Sequence, residues 1–173
     1  KISLTDKIFV RSGASDAITE GLSTFMVEMI ETARILNNAT KDSLVIMDEI
    51  GRGTSTYDGI SIAWSVAERL VTNKVNTPKT LFATHYHELQ ELEEKFPKKI
   101  SNFRMAIKNH QSEPVFLYLF SKGEGTHSFG IQVAKLAGLP KPVIKRAQTL
   151  MKKFDKDIPN IDLEEIKNEE KLE

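Results

Sequence analysis

The sequence contains no cysteine and no apolar run long enough to span a membrane. Without cysteine, the chain cannot form a disulfide framework or a thiolate metal site, so a reducing, cytosolic setting is compatible. A membrane-spanning helix needs about 20 consecutive apolar residues, and no signal-peptide pattern opens the chain. With 173 residues and 40% hydrophobic content, the sequence predicts one soluble domain with an appendage.

The sequence also lacks an excess of charge of either sign. Its 24 Lys and Arg residues balance 24 Asp and Glu residues, so the composition does not indicate a nucleic-acid-binding surface. The charges are unevenly placed, because residues 135–153 carry six basic residues and no acid, whereas residues 157–173 carry seven acids and two lysines. We interpret the first segment as a solvated helix face and the second as a disordered end.

An uninterrupted apolar run is followed directly by two carboxylates. Residues 44–47 (LVIM) show no polar alternation, which predicts a strand buried on both faces, as in a parallel sheet covered by helices. Ligands of open α/β sheets bind outside the carboxyl ends of the strands, within reach of Asp48 and Glu49. In nucleotide hydrolysis one such carboxylate holds Mg²⁺ and the next polarises the attacking water. On these two residues alone, a strand followed by a solvated acidic turn is an equally good interpretation.

Three stretches of the sequence resemble the MutS family of DNA mismatch-repair ATPases. DEIGRGTSTYDG (residues 48–59) resembles the family's Walker B motif and adjoining D-loop. GLSTFMVEMIETARIL (21–36) resembles its signature segment, and LFATHYHEL (81–89) resembles the segment with its switch histidine. The resemblance covers residues 1 to about 153. The form of the motifs is similar to the mismatch-binding branch and less similar to the Smr-bearing paralogue.

The resemblance implies a role for five residues at an ATP site. Asp48 would anchor Mg²⁺, Glu49 would polarise the attacking water, and His85 would sense the γ-phosphate or orient that water. Ser23, with Thr24 beside it, belongs to the loop that reaches the γ-phosphate bound in the opposite subunit of a dimer. The cofactors implied are therefore ATP and Mg²⁺.

The residues around Ser23 also support a purely local role. Ser23 precedes an apolar repeat at helical spacing, which makes it a candidate N-cap, and the N–H groups and dipole of a helix N-terminus favour an anion. We favour the functional role in trans, with capping as a compatible second role. The repeat predicts that Glu28 and Glu31 lie on the solvent side of this helix. The residues predicted to face inward are Phe25, Met26, Met29, Ile30, Ala33 and Leu36.

A second short apolar strand, residues 81–84, ends at His85 and repeats the arrangement of the first. A lone histidine is usually not catalytic, but one delivered at the end of a buried strand can face the same crevice as Asp48 and Glu49. We interpret His87, on a helix that follows, as structural. No third ligand is evident beside His85 and His87, so a metal pair is disfavoured.

The nucleotide cradle of a P-loop ATPase is missing from the sequence. That cradle needs GxxxxGK[ST], and none of the nine glycines is followed by lysine and a hydroxyl residue. We therefore expect the cradle to lie upstream and the chain to be the C-terminal piece of a larger protein. The isolated piece would then be inactive as an ATPase.

The last third of the sequence predicts a hairpin and two helices. Runs at 102–108 and 115–120 indicate a hairpin on the edge of the sheet. Two apolar helical patterns joined by the turn at 138–140 then predict a helix-turn-helix. Its basic second helix raises a DNA-reading hypothesis. We weigh that lower, because the matching element of the family packs against the partner subunit's ATPase domain.

The fold class expected is α/β: a P-loop NTPase (ABC-type ATPase) subdomain with a mostly parallel sheet, plus a C-terminal α-helical helix-turn-helix. Residues 1–122 would be the C-terminal part of the ATPase domain, 123–154 the helix-turn-helix dimerisation element, and 155–173 an acidic, disordered tail. The rivals are another ABC-type ATPase, which would carry an LSGGQ-type signature, and a non-catalytic dimerisation module.

The resemblance implies a bacterial-type mismatch recognition protein in which ATP binding and hydrolysis switch DNA clamps. Its partners would be mismatched double-stranded DNA, bound through upstream domains, a second copy of itself, and a downstream repair protein such as MutL. It would be cytoplasmic and associated with the nucleoid, with no membrane partner.

Overall fold

The computed structural model describes residues 4–12, 22–110, 113–123, 125 and 129–157. The chain divides into two compact units, one of residues 1–104 with 120–125 and one of residues 105–119 with 126–173. A short 3₁₀ helix, His87–Glu91, follows the third strand. In chain order the other elements are β1 Ile8–Arg11, α1 Thr24–Asn38, β2 Leu44–Asp48, α2 Thr56–Thr72, β3 Lys79–Ala83, α3 Leu92–Lys95, β4 Phe103–His110, β5 Glu113–Lys122, α4 Gly130–Leu136 and α5 Lys141–Asp157.

Strands β1, β2 and β3 form a parallel sheet, which the sequence predicts, and β2 lies in its centre. Parallel neighbours need a crossover of a dozen or more residues, and α1 and α2 supply the two crossovers. The register places Val45 between Phe9 and Thr80, and Asp48 beside Ala83. The carboxyl ends of β2 and β3 therefore lie together.

The prediction that β2 is buried on both faces is wrong for the described residues. Val45 and Met47 are fully buried under α1 and α2, in the cluster that also contains Ile35 and Leu70. The other face of β2 is only partly covered, and Ile46 on that face is half-buried. Its neighbours on β1 and β3 are exposed: Ile8, Val10 and Leu81. Both crossover helices lie on one face, which is why the two faces differ.

Helix α1 begins where the sequence predicts, but its inward face is different. Thr32 and Ile35 are buried and so is Glu28, whereas Met26 and Ile30 are about half exposed. The placement of Glu28 on the solvent side is therefore wrong. A buried carboxylate needs partners, and Glu28 has them in the loop after β2 and on β1.

The predicted hairpin forms, but not on the edge of the parallel sheet. Strands β4 and β5 make a separate two-stranded sheet, with the rings of Phe103 and Phe120 stacked 4.7 Å apart. The edge placement is therefore wrong, because the two strands pair with each other and, in the described part of the chain, β3 pairs with β2 alone.

Helices α4 and α5 lie where the sequence predicts two helices, joined by the turn at residues 137–140. Gly138 has φ +86°, a conformation that favours glycine. Helix α5 runs on to Asp157 and so contains the first three residues of the predicted tail. The rest of that tail lies outside the described residues. Among the helices described, none has the length and apolar character to cross a membrane.

Candidate functional site

The structure places Asp48, Glu49 and His85 at the carboxyl end of the parallel sheet, at or just after the ends of β2 and β3. Asp48 is the last residue of β2 and lies beside Ala83, the last residue of β3. The N–H of Glu49 donates to the carbonyl oxygen of Ala83 at 2.9 Å, and His85 follows two residues later. Asp48 and His85 are exposed and Glu49 is half-buried, so all three can meet a ligand.

The backbone at Glu49 has an uncommon conformation. Its φ is +53°, in the left-handed region that residues other than glycine seldom occupy. Its carboxylate forms an ion pair with the guanidinium of Arg52. Because both side chains are substantially exposed, this pair adds little stability, and Glu49 can exchange Arg52 for another partner at low cost.

Two residues beyond Glu49, both polar groups of Gly51 are held by buried side chains. The N–H of Gly51 donates to Glu28 Oε1 at 2.6 Å, and the hydroxyl of Tyr86 donates to the carbonyl oxygen of Gly51 at 2.9 Å. Gly51 has φ +90°, which favours glycine. We call Glu28, Gly51 and Tyr86 the Gly51 clamp.

The charge of Glu28 is matched by Arg11 at the end of β1. Arg11 Nη2 lies 3.7 Å from Glu28 Oε2, and Arg11 Nε lies 3.1 Å from Glu31 Oε2. Burial raises the pKa of Tyr86, and the negative charges of Glu28 and then Glu88 raise it further. Tyr86 therefore stays protonated at neutral pH and keeps the hydroxyl proton that it donates to Gly51.

The sequence interpretation missed Glu28 and Tyr86 as members of the site. The available signal was the spacing of residues 28, 32, 35 and 39, which share one helical face and are all buried. A glutamate within such a face is a candidate for a structural or functional contact. Tyr86 adjoins His85, and their ring centroids are 4.2 Å apart.

Gly59 at the start of α2 packs directly against the clamp. A Cβ added there would clash with the carbonyl oxygen of Gly51 and the hydroxyl of Tyr86. Gly→Ala inside a helix ordinarily stabilises by up to about 1 kcal/mol. We expect Gly59→Ala instead to lower the free energy of unfolding by about 1–3 kcal/mol through overpacking.

Urea unfolding of the chain measures the effect of Gly59→Ala. Gly125→Ala is the matched control, because the nearest atom to its added Cβ is Gln90 Nε2 at 3.6 Å, an ordinary contact distance. A Gly59→Ala variant as stable as the parent, or more stable, would contradict the close packing of α2 on Gly51.

Ser23 and Thr24 are exposed at the start of α1. Ser23 Oγ accepts from the N–H of Met26 at 3.1 Å, which confirms the predicted N-cap. The cap uses the hydroxyl oxygen as an acceptor, so the O–H donor is not consumed by it. Helix α1 meets the loop after β2 through Phe25, whose Cβ lies 3.0 Å from where a Cβ on Gly53 would be. Among the described residues, the Ser23 side chain is hydrogen-bonded to its own helix and not to Asp48 or Glu49.

The fold and the site define an α/β protein whose parallel sheet presents two carboxylates and a histidine at the strand ends where such sheets bind ligands. The family described as MutS domain V matches residues 1–155. This chain belongs to that family, and the resemblance found in its motifs is confirmed.

Curated relatives agree with this assignment. The chain is 54% identical over 156 residues to the DNA mismatch repair protein MutS of Bacteroides thetaiotaomicron, covering 90% of this chain and 18% of that protein. It is 54% identical over 168 residues to the protein of the same name from Flavobacterium johnsoniae, covering 97% of this chain and 19% of that protein. It is 55% identical to that of Protochlamydia amoebophila over 90% of this chain and 18% of that protein. The chain thus spans about a fifth of the length of these relatives.

Proposed function

We propose that this chain is the C-terminal part of the ATPase and dimerisation domain of a MutS-type DNA mismatch recognition protein. Its fold would be the C-terminal part of a P-loop, ABC-type ATPase domain, and ATP binding and hydrolysis would switch the protein's clamp on DNA. The observation that carries the proposal is that Asp48, Glu49 and His85 all lie at or just beyond the carboxyl ends of two neighbouring parallel strands. Another kind of ABC-type ATPase is not favoured, because the relatives bear the MutS name.

The residues at the carboxyl end of the parallel sheet suit a Mg²⁺ ion whose ligands come mainly from a bound nucleotide. In the described part of the chain no three acidic or histidine side chains converge as a metal site, and Asp48 offers one exposed carboxylate. Mg²⁺ suits such a donor, because it keeps several waters and takes phosphate oxygens for its remaining ligands. Asp48 would hold it. When bound, the ion supplies positive charge that offsets the charge of the phosphate oxygens.

Hydrolysis then depends on positioning and electrostatics. Glu49 accepts a hydrogen bond from the attacking water and makes its oxygen more nucleophilic. His85, exposed just after the end of β3, contacts the γ-phosphate or orients the same water. Ser23 and Thr24, at the N-terminus of α1, donate to the γ-phosphate bound in the opposite subunit, where the helix dipole favours an anion.

The helix pair in residues 123–154 acts as a helix-turn-helix dimerisation element between two copies of the protein. The surface of α5 supports this role, because Val143, Met151 and Phe154 form one exposed apolar stripe at helical spacing. Reading DNA with α5 is the alternative, but apolar side chains suit a protein interface better than a phosphate backbone. Upstream domains would hold mismatched DNA, and a protein such as MutL would act downstream, in the cytoplasm near the nucleoid.

A chimera tests the proposal. We expect this chain, placed in the corresponding segment of the Bacteroides thetaiotaomicron MutS protein, to support Mg-ATP binding and hydrolysis and to lower the mutation rate of a MutS-deficient strain. The isolated chain should show no Mg-ATP binding at micromolar affinity, because its sequence lacks the GxxxxGK[ST] loop that supplies most phosphate contacts.

Calorimetric titration of both proteins with Mg-ATP provides the comparison. Micromolar binding by the isolated chain would reveal a nucleotide site that does not need the P-loop. A correctly folded chimera without ATP hydrolysis would contradict the proposed function.

A further inference from the structure

The Gly51 clamp joins three segments that are distant in the sequence. Glu28 lies 23 residues before Gly51, and Tyr86 lies 35 residues after it. Both clamp side chains are almost fully buried, with exposed fractions of 6% for Glu28 and 8% for Tyr86. Hydrogen bonds in such surroundings are electrostatically stronger than in water, and an unmade one is costly.

The clamp acts on the turn that carries Glu49. A non-glycine residue in the left-handed region persists only when the surrounding structure determines its conformation. On one side, the N–H of Glu49 is bonded to Ala83 of β3, and on the other, Gly51 is held at both its N–H and its carbonyl oxygen. Each of these hydrogen bonds restricts the backbone that sets the direction of the Glu49 side chain.

Neighbouring contacts make the clamp rigid. Arg11 holds the carboxylate of Glu28 from the β1 side. Gly59 packs behind the carbonyl of Gly51 so closely that no side chain would fit there. Tyr86 follows His85 directly, so the hydroxyl bond to Gly51 also links the His85 segment to the Glu49 turn.

We propose that Glu28 and Tyr86 are positioning residues for ATP hydrolysis, which hold the turn that presents Glu49 by fixing Gly51 from two sides. This inference rests on the proposed function, because it requires Glu49 to be the carboxylate that polarises water. Neither residue touches the nucleotide; each acts through the backbone. Glu28 also lies on the helix that begins just after Ser23, so α1 and the Glu49 turn form one connected body.

Tyr86→Phe tests the inference in a full-length MutS protein carrying this sequence. It removes one hydroxyl and leaves the ring in place. We expect kcat for ATP hydrolysis to fall about five- to tenfold, because a buried carbonyl loses its donor and the turn loosens, while KM for ATP stays within about twofold. Tyr118→Phe is the matched control: it makes the same change on a side chain that is 84% exposed, and it should leave both constants unchanged.

A double-mutant cycle separates positioning from general structural damage. If Tyr86 acts through Glu49, adding Tyr86→Phe to a Glu49→Gln protein should lower the residual rate by less than about twofold. A merely structural role would lower it by the same factor in both backgrounds. That additive result would overturn the inference, as would an unchanged kcat in Tyr86→Phe or a rise in KM that accounts for the whole loss.

Two substitutions at Glu28 test the other arm of the clamp. Glu28→Gln keeps an oxygen that can accept from the N–H of Gly51 and should retain kcat within about twofold. Glu28→Met has a similar length but no such oxygen, and its kcat should fall about as far as that of Tyr86→Phe. Equal losses in both variants would show that the charge of Glu28 matters and not its bond to Gly51, which would overturn this arm.

The same assay distinguishes failure of this inference from failure of the proposed function. If Glu49→Gln abolishes turnover while Tyr86→Phe and Glu28→Met turn over normally, the clamp inference alone is wrong. If Glu49→Gln itself turns over normally, Glu49 is not the catalytic carboxylate, and both fail.

Discussion

Glu49→Gln, introduced into a full-length MutS protein carrying this sequence, should lower steady-state ATP turnover by at least about 100-fold and leave ATP affinity nearly unchanged. The amide keeps the size of the carboxylate but lacks the negative charge that, in the proposed mechanism, polarises water. That charge matters most as the water attacks, so its loss appears in kcat and much less in binding. Glu49 can take this role because its present partner, Arg52, is an exposed side chain that it can release.

Turnover of this variant is measured as phosphate release under saturating Mg-ATP, and affinity by titration with a fluorescent ATP analogue. Glu94→Gln is the matched control, because Glu94 is exposed on α3 and the chemical change is the same. Normal turnover in Glu49→Gln would mean that another group polarises the water. A large loss of ATP affinity would instead indicate that Glu49 holds the nucleotide.

Features that depend on neighbouring residues in the chain were predictable from the sequence. The apolar run before Asp48 is long enough to indicate a strand, and Ser23 before a helical repeat indicates a cap; the structure contains both. The order of strands and helices follows from the same local signals. These signals are sufficient to predict that Asp48, Glu49 and His85 lie at strand ends, without knowledge of which strands pair with each other.

Features that depend on distant partners were not predictable. Hydropathy assigned Glu28 to the solvent side of α1, because charged residues are rarely buried without partners. Its partners are a backbone N–H in the loop after β2 and an arginine on β1, which no local pattern reveals. The backbone conformation of Glu49 was not predictable for the same reason. A glutamate on its own disfavours a positive φ, and hydrogen bonds from distant segments impose this one. The sequence also could not show whether the hairpin of β4 and β5 pairs with the edge of the parallel sheet or forms a sheet of its own, because that depends on strands that are distant in the chain.

A second large effect is expected for Ser23 in mixed dimers of a full-length MutS protein. If Ser23 contacts the nucleotide of the opposite subunit, pairing a Ser23→Ala subunit with a subunit whose P-loop is inactivated places both lesions at one ATP site. The other site stays complete, and the heterodimer should retain about half of the parent turnover. If Ser23 serves its own subunit's site, each site carries one lesion and turnover should be close to zero. Phosphate release by purified heterodimers measures the difference.

The reverse arrangement is the control for Ser23. Placing Ser23→Ala and the inactive P-loop in the same subunit damages both ATP sites if Ser23 acts in trans, but only one site if it acts in cis. For a trans role, this heterodimer should therefore be nearly inactive, whereas the first heterodimer keeps about half of the parent turnover. Loss of the cap alone costs about 0.5–2 kcal/mol of stability in whichever subunit carries it, and therefore cannot produce this difference. The observed geometry permits both roles, since the cap uses the oxygen of Ser23 as acceptor and a phosphate would use its proton. Retained activity only when the lesions share a subunit would show that Ser23 acts in cis.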